Sequence, residues 1–197
     1  MSAVIALGNG ESRLGLDLEK ILSNHMSVGC NAVVRDYSVD HLVCVDRRMV
    51  SEALELHQGP IYTRTDWLSY FSSNPKVQAV PDLPYKGELR ADEPFHWGSG
   101  PYAILLATQL ADNEVWLIGF DLYGVDKKVN NIYKGTKNYV KHDSHAIDPS
   151  YWIHQTEKIF ESYPDINFKI FNHDEWQLPV KWKKSNVEVL TYKYLQV

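Results

Sequence analysis

Cysteine is scarce in this sequence, with two in 197 residues. Cys30 and Cys44 both sit inside apolar stretches, so buried thiols are expected rather than a disulfide framework or a metal site. An excess of positive charge is missing as well. Lys and Arg number 20 against 25 Asp and Glu, a formal net charge of −5, which speaks against a duplex nucleic-acid binder that works by neutralising phosphates. Long hydrophobic runs are absent too. The longest, such as residues 115–120, fall far short of the roughly 18 residues of a membrane span. The first residues lead into the apolar run 3–7 without a cationic region or a cleavage site, so a cytoplasmic protein is expected. No repeat or low-complexity segment is visible. What is present, 44% hydrophobic and 23% charged residues, is ordinary for a folded globular chain of one domain.

Hydrophobic periodicity alternates between strand and helix along the chain. Residues 3–7 form an apolar run that ends at Gly8-Asn9-Gly10, followed by Leu14, Leu18, Ile21 and Leu22 at helical spacing. Strands are expected at 28–34 and 41–45, then a helix through Val50, Ala53, Leu54 and His57 that stops at Gly59-Pro60. A short strand at 61–63 precedes an excursion over 72–96 that carries Pro75, Pro81, Pro84 and Pro94 and one weak strand at 77–80. A loop of that length usually has a task, here that of an acceptor lid. Gly98-Ser99-Gly100-Pro101 then opens a helix with the stripe Ala103, Leu106, Ala107 and Leu110, and 115–120 reads as a strand buried on both faces. After an irregular stretch over 121–149, a helix carries Trp152, Thr156, Ile159, Phe160 and Tyr163, and 167–171 forms a strand. This order predicts an α/β fold: a single Rossmann-like, three-layer domain over 1–177 with a mainly parallel sheet. Residues 178–197 form a C-terminal extension whose alternating segment, 187–195, suits an added edge strand or an oligomer contact, and a homo-oligomer is expected.

In open parallel sheets ligands bind beyond the carboxyl ends of the strands. The loop of Gly8, Asn9, Gly10 and Ser12 offers close backbone approach, an amide and a helix start able to hold phosphate. It is not the dinucleotide fingerprint, because Arg13 stands where that motif needs its third glycine. Gly98, Ser99 and Gly100 form a second loop of this kind, with Ser99 or Gly100 also able to cap the helix. A tight turn or a cap explains either loop alone about as well as a ligand does. Asp46 ends a strand and suits either a ligand contact or a helix cap. His142 and His145 flank Asp143 in a flexible segment, which suits acid/base work or a polar loop, and no third metal-ligand motif accompanies them. His154, two residues after Trp152, is expected to point to solvent.

The segment 4–12, Val-Ile-Ala-Leu-Gly-Asn-Gly-Glu-Ser, resembles the strand and Gly-Asn-Gly-Pro-Ser signature of bacterial CMP-sialic-acid sialyltransferases and the related 6-hydroxymethylpterin diphosphokinase-like proteins, with Glu11 in place of proline. Gly29-Cys30-Asn31 is similar to the family's second segment. Residues 98–103 followed by 115–123 are similar to its third, and 143–145 to its histidine loop. The resemblance implies that Asn9, Asn31 and Ser99 contact a cytidine nucleotide, that Tyr123 and Tyr133 bond its phosphate, and that His145, or else His142, is the base. It also implies a nucleotide-sugar donor and a hydroxyl acceptor, with no metal required, since CMP is a weakly charged leaving group and no Asp-x-Asp motif is present. Asp148-Pro149 occupies the region of the family's second histidine, which leaves His145, His142 or His154 to serve as base, or the chain without one. Residues 31–36 and 43–46 lean toward the diphosphokinase branch, which would use a nucleoside triphosphate and Mg²⁺. A non-catalytic nucleotide-binding or scaffold protein is the other alternative.

Overall fold

The structure is a computed structural model that describes residues 3–195. Eight parallel strands form one open sheet: β1 (Val4–Leu7), β2 (Ser27–Cys30), β3 (His41–Val43), β4 (Ile61–Thr63), β5 (Val77–Ala79), β6 (Glu114–Ile118), β7 (Asn167–Asn172) and β8 (Val187–Thr191), in the order β5-β4-β3-β2-β1-β6-β7-β8. The protein is thus a Rossmann-like α/β domain. β1 runs beside both β2 and β6 with Leu7 opposite Gly29 and Ile118. The chain therefore builds outward from β1 to one side, then returns to build on its other side.

The apolar faces decide the layers. Side chains alternate across each strand, so Val4 and Ala6 face one core with Val115 and Leu117, while Ile5 and Leu7 face the other with Ile118 and Phe171. The first core is closed by α4 (Ser99–Leu110) and α5 (Ser150–Ser162). The second is closed by the short α1 (Leu18–Leu22), a 3-10 turn at Asn31–Arg35 and α2 (Arg47–Leu56). A single turn of helix, α3 (Thr65–Leu68), follows β4. α4 is buried on almost every side, because the sheet, α5 and the 72–96 excursion surround it. No helix among the described residues is long and apolar enough to cross a membrane.

Two sequence expectations change. The strand expected at 28–34 stops at Cys30, where Asn31 adopts φ 52° and turns the chain into the 3-10 segment; asparagine tolerates that region better than most residues. The helix expected from Leu14 begins only at Leu18, after a three-residue 3-10 turn, so the β1 loop does not deliver a helix N-terminus. The segment after 177 is built into the same domain: β8 pairs with β7 in parallel, Trp182 is fully buried in the first core, and Tyr192 and Leu195 close the second. Residues 196 and 197 lie outside the described residues.

Candidate functional site

The strand order reverses between β1 and β6, and the loops that leave β1, β2, β3 and β6 enclose a cleft of about 360 Å³ there. A larger hollow of about 730 Å³ lies between α1, Trp116 and Tyr194; it takes in the far part of the β1 loop, residues 15–17, but neither the turn at 8–10 nor the loops that leave β2, β3 and β6. The cleft is where the backbone itself aims polar groups at a ligand.

Asn9, 7% exposed, lies in the β1 loop and lines the cleft. Its Nδ2 donates to the Cys30 carbonyl over 3.0 Å and to the Tyr139 hydroxyl over 3.3 Å. The Cys30 acceptor fixes the amide's orientation and leaves Oδ1 buried with no donor among the described residues. Leaving such a group unmet costs about 1–3 kcal/mol, and a ligand donor would recover it. Across the cleft, Ser99 Oγ accepts from the Val45 N–H over 3.0 Å and donates to Asn31 Oδ1 over 2.8 Å. That relay commits the Asn31 oxygen, so its Nδ2 is left without a protein acceptor among the described residues. One carbonyl thus awaits a donor and one amide awaits an acceptor in a single cleft.

The start of α4 adds a third element. Ser99 does not cap the helix, since its hydroxyl is engaged by Val45 and Asn31; the N-cap is Gly98, which has no side chain to offer. Pro101 has no N–H, so the N–H groups of Ser99 and Gly100 stand open at the positive end of a 12-residue helix. Beneath the opposite wall lies Arg13, 3% exposed, whose Nε donates to the Gly8 carbonyl over 2.8 Å and whose guanidinium stacks 5.4 Å from the Tyr37 ring centroid. Its only hydroxyl contact among the described residues is Tyr133, at 3.3 Å. The uncapped helix end favours an anion at its own N–H groups, whereas the charged side chains that line the cleft are the carboxylates Asp46 and Asp121, and Arg13 lies behind the wall.

Gly8 and Gly10 are needed for packing. A Cβ on Gly8 would stand 2.4 Å from the Gly119 carbonyl oxygen, and one on Gly10 would stand 2.2 Å from Asp121 Cγ. These close approaches press the β1 loop against the β6 loop. Asp121, 5% exposed, accepts from the Ser12 N–H over 2.9 Å and also holds the Ser12 hydroxyl. Ser12 Oγ meets the Tyr192 hydroxyl at 2.6 Å. Ser12 is therefore scaffold: it points away from the cleft and ties the C-terminal segment to the β1 loop.

The remaining expected residues divide. Asp46 lies at the cleft edge and caps α2 by accepting from the Arg48 N–H over 2.8 Å. Tyr123 is not on the cleft wall; its ring packs 6.4 Å from Trp176. Tyr133 is buried behind the loop, donating to Asp36 over 2.7 Å, and burial followed by that carboxylate pushes its phenol up. His142 and His145 are both exposed and neither lines the cleft; His142 packs against Gly135, and His145 forms a backbone bridge with Lys128. His154 does not point to solvent as expected: its Nε2 meets Asp92 Oδ1 at 2.6 Å and clamps the excursion onto α5.

Sequence reasoning did not single out Asn130, Asn131, Asn138, Tyr139 or Trp152, which all line the cleft. The Asn- and Tyr-rich composition of 121–149 was the only signal for the first four. Their reach depends on tertiary bonds, such as Asn130 Oδ1 accepting from the Glu11 N–H over 2.8 Å and Asn138 Nδ2 donating to Glu52 over 2.7 Å. Burial pushes the Tyr139 phenol up, so it stays a neutral hydroxyl. Among the described residues no group of three or more His, Cys, Asp and Glu comes together to hold a metal.

No family model matches the chain, and no curated protein is similar to it in sequence. Among solved structures, that of a point mutant of the alpha-2,3/8-sialyltransferase CstII is similar at 16% identity, covering 86% of this chain and 81% of that one, with a TM-score of 0.48. That likeness carries no argument about chemistry.

Proposed function

We propose that the cleft binds a nucleotide and that the protein is a sialyltransferase-like transferase, moving a sugar from a CMP-sugar donor to a hydroxyl acceptor. The observation that carries the nucleotide reading is the buried, unmet Asn9 Oδ1, with the partly exposed Asn31 Nδ2 opposite it and the uncapped start of α4 beside both. A nucleotide supplies what each lacks: an amino or hydroxyl donor for Asn9, a carbonyl or hydroxyl acceptor for Asn31, and an anion for the Ser99 and Gly100 N–H groups. The choice of cytidine, and of sugar transfer as the reaction, rests on the resemblance of segments 4–12, 29–31, 98–103 and 115–123 to the bacterial sialyltransferases. In this reading the N–H groups at the helix end stabilise charge on the departing phosphate, which is where preorganised dipoles lower a barrier most.

A second reading has its own observation. Neither His142 nor His145 lines the cleft, so no histidine of that loop faces a bound donor, which favours a nucleotide-binding protein without turnover. Calorimetric titration with CMP, CTP, ATP and UDP, followed by a CMP-sugar hydrolysis and transfer assay, separates the readings. Binding of cytidine nucleotides with turnover supports the transferase. Tight binding without turnover supports the second reading, and Mg²⁺-dependent release of AMP from ATP points to the diphosphokinase branch. No binding by any of the four at millimolar concentration overturns the nucleotide reading itself.

A further inference from the structure

The backbone of Val45 faces two ways. Its N–H is held by Ser99 inside the cleft, and its carbonyl accepts from Trp67 Nε1 over 3.1 Å outside it. Trp67 thereby anchors a ladder of rings and guanidiniums on the outer side of Val45, next to the cleft wall formed by Val45, Asp46 and Met49 but not part of it. Arg47 lies 4.6 Å from the Tyr70 centroid and 5.5 Å from that of Trp67; Arg64 lies 5.6 Å from Trp67 and 4.1 Å from Phe95. Tyr70 is 61% exposed and Phe95 58%, far more aromatic surface than a wall serving only the core would show. The two guanidiniums differ. Arg64 is committed, with Nε and one terminal nitrogen on Asp66 at 2.9 and 2.7 Å and the other on the Phe95 carbonyl at 3.1 Å. Arg47 is exposed and meets no carboxylate among the described residues. Stacking engages the flat faces of a guanidinium and leaves its in-plane N–H fork open, the geometry that grips a carboxylate or phosphate.

We propose that this Arg47–Trp67–Tyr70 ladder is the acceptor site, and that the acceptor is an acidic saccharide whose ring packs on Tyr70 while its anionic group is held by Arg47. The proposal deepens the sugar-transfer reading of the cleft and rests on it for the word acceptor. A pyranose has apolar C–H faces that suit an exposed aromatic ring, and a single uncommitted arginine beside that ring selects for one negative charge. The neighbouring carboxylates Asp46 and Asp66 are paired with Arg48 and Arg64, which leaves Arg47 as the cation of the ladder that an anionic group can meet.

The test is binding of methyl β-D-glucuronide, methyl β-D-glucoside, the glucuronide's methyl ester and glucose 6-phosphate, followed by ligand-observed NMR with and without CMP. The glucuronide, the sugar phosphate or both should bind at least about tenfold tighter than the two uncharged sugars, the value of one charge-assisted hydrogen-bonded pair. Which of the two is preferred distinguishes carboxylate from phosphate. Arg47→Gln should erase that preference, Tyr70→Ala should weaken all four, and neither should move CMP affinity by more than about twofold. Equal binding of charged and uncharged sugars, a preference that survives Arg47→Gln, or no saccharide binding at all overturns the proposal. Saccharide binding through Arg47 in a protein that ignores CMP leaves the ladder standing as a saccharide site and removes the nucleotide reading instead.

Discussion

Ser99 Oγ and Asn31 Oδ1 lie 2.8 Å apart across the candidate cleft, joining the start of α4 to the end of β2. Because the same hydroxyl accepts from the Val45 N–H, Ser99→Ala removes two bonds and frees the Asn31 amide to flip. The expected cost is about 1–3 kcal/mol in denaturant unfolding, with CMP affinity reduced about tenfold. Ser99→Thr, which keeps the hydroxyl, should restore part of both. An alanine variant that binds CMP as the parent does removes Ser99 from the binding site.

Asn9→Asp tests the unmet carbonyl. A carboxylate loses the donor to Cys30 and sets two acceptors where one was, so folding should weaken by about 1–3 kcal/mol and CMP binding should fall further than with Asn9→Ala, as charge meets phosphate. Titration calorimetry on the two variants ranks them, and the reverse ranking counts against a phosphate nearby.

Acid should loosen the excursion. Burial alone would raise the Asp92 carboxyl, but bonds from His154, the Leu89 N–H and Tyr85 outweigh it and hold the group below its ordinary value of 3.8. A carboxylate with a depressed folded value contributes stability that is complete above the unfolded value and lost as pH falls through the folded one. Parent and Asp92→Asn should therefore differ in melting temperature at neutral pH, and the gap should close below about pH 4. A gap that is constant down to pH 2 would show that the charge of Asp92 does not matter.

Trimming the chain after Pro179 removes Trp182, which is fully buried and donates to the Ile153 carbonyl over 2.8 Å. Trp182→Ala should cost about 3–5 kcal/mol, and the truncated chain should not fold. Homo-oligomer formation is therefore to be tested on the full chain. Light scattering of Val189→Lys, a change on the open edge strand β8, should show a smaller particle than the parent. A monomeric parent ends that expectation.

The order of strands and helices, the buried thiols and the opening of α4 at Gly98-Ser99-Gly100-Pro101 were legible because they rest on local chemistry. Periods of two and 3.6 residues mark the elements, and glycine and proline mark their ends. From that order alone follow an α/β sheet and a cleft at the carboxyl ends of its strands. Within the loops no period exists, and each side chain turns toward whichever partner the fold brings near. Ser12 meets Asp121 and Tyr192, which are 109 and 180 residues away in sequence; Asn9 meets Tyr139, 130 residues away. Those encounters made Ser12, Tyr123 and Tyr133 scaffold, sent His154 to Asp92, and brought Asn138 and Tyr139 to the cleft wall. Only the tertiary structure could decide them, because a buried polar group takes its direction from the hydrogen bond that compensates its loss of water, and that partner is not its neighbour in sequence.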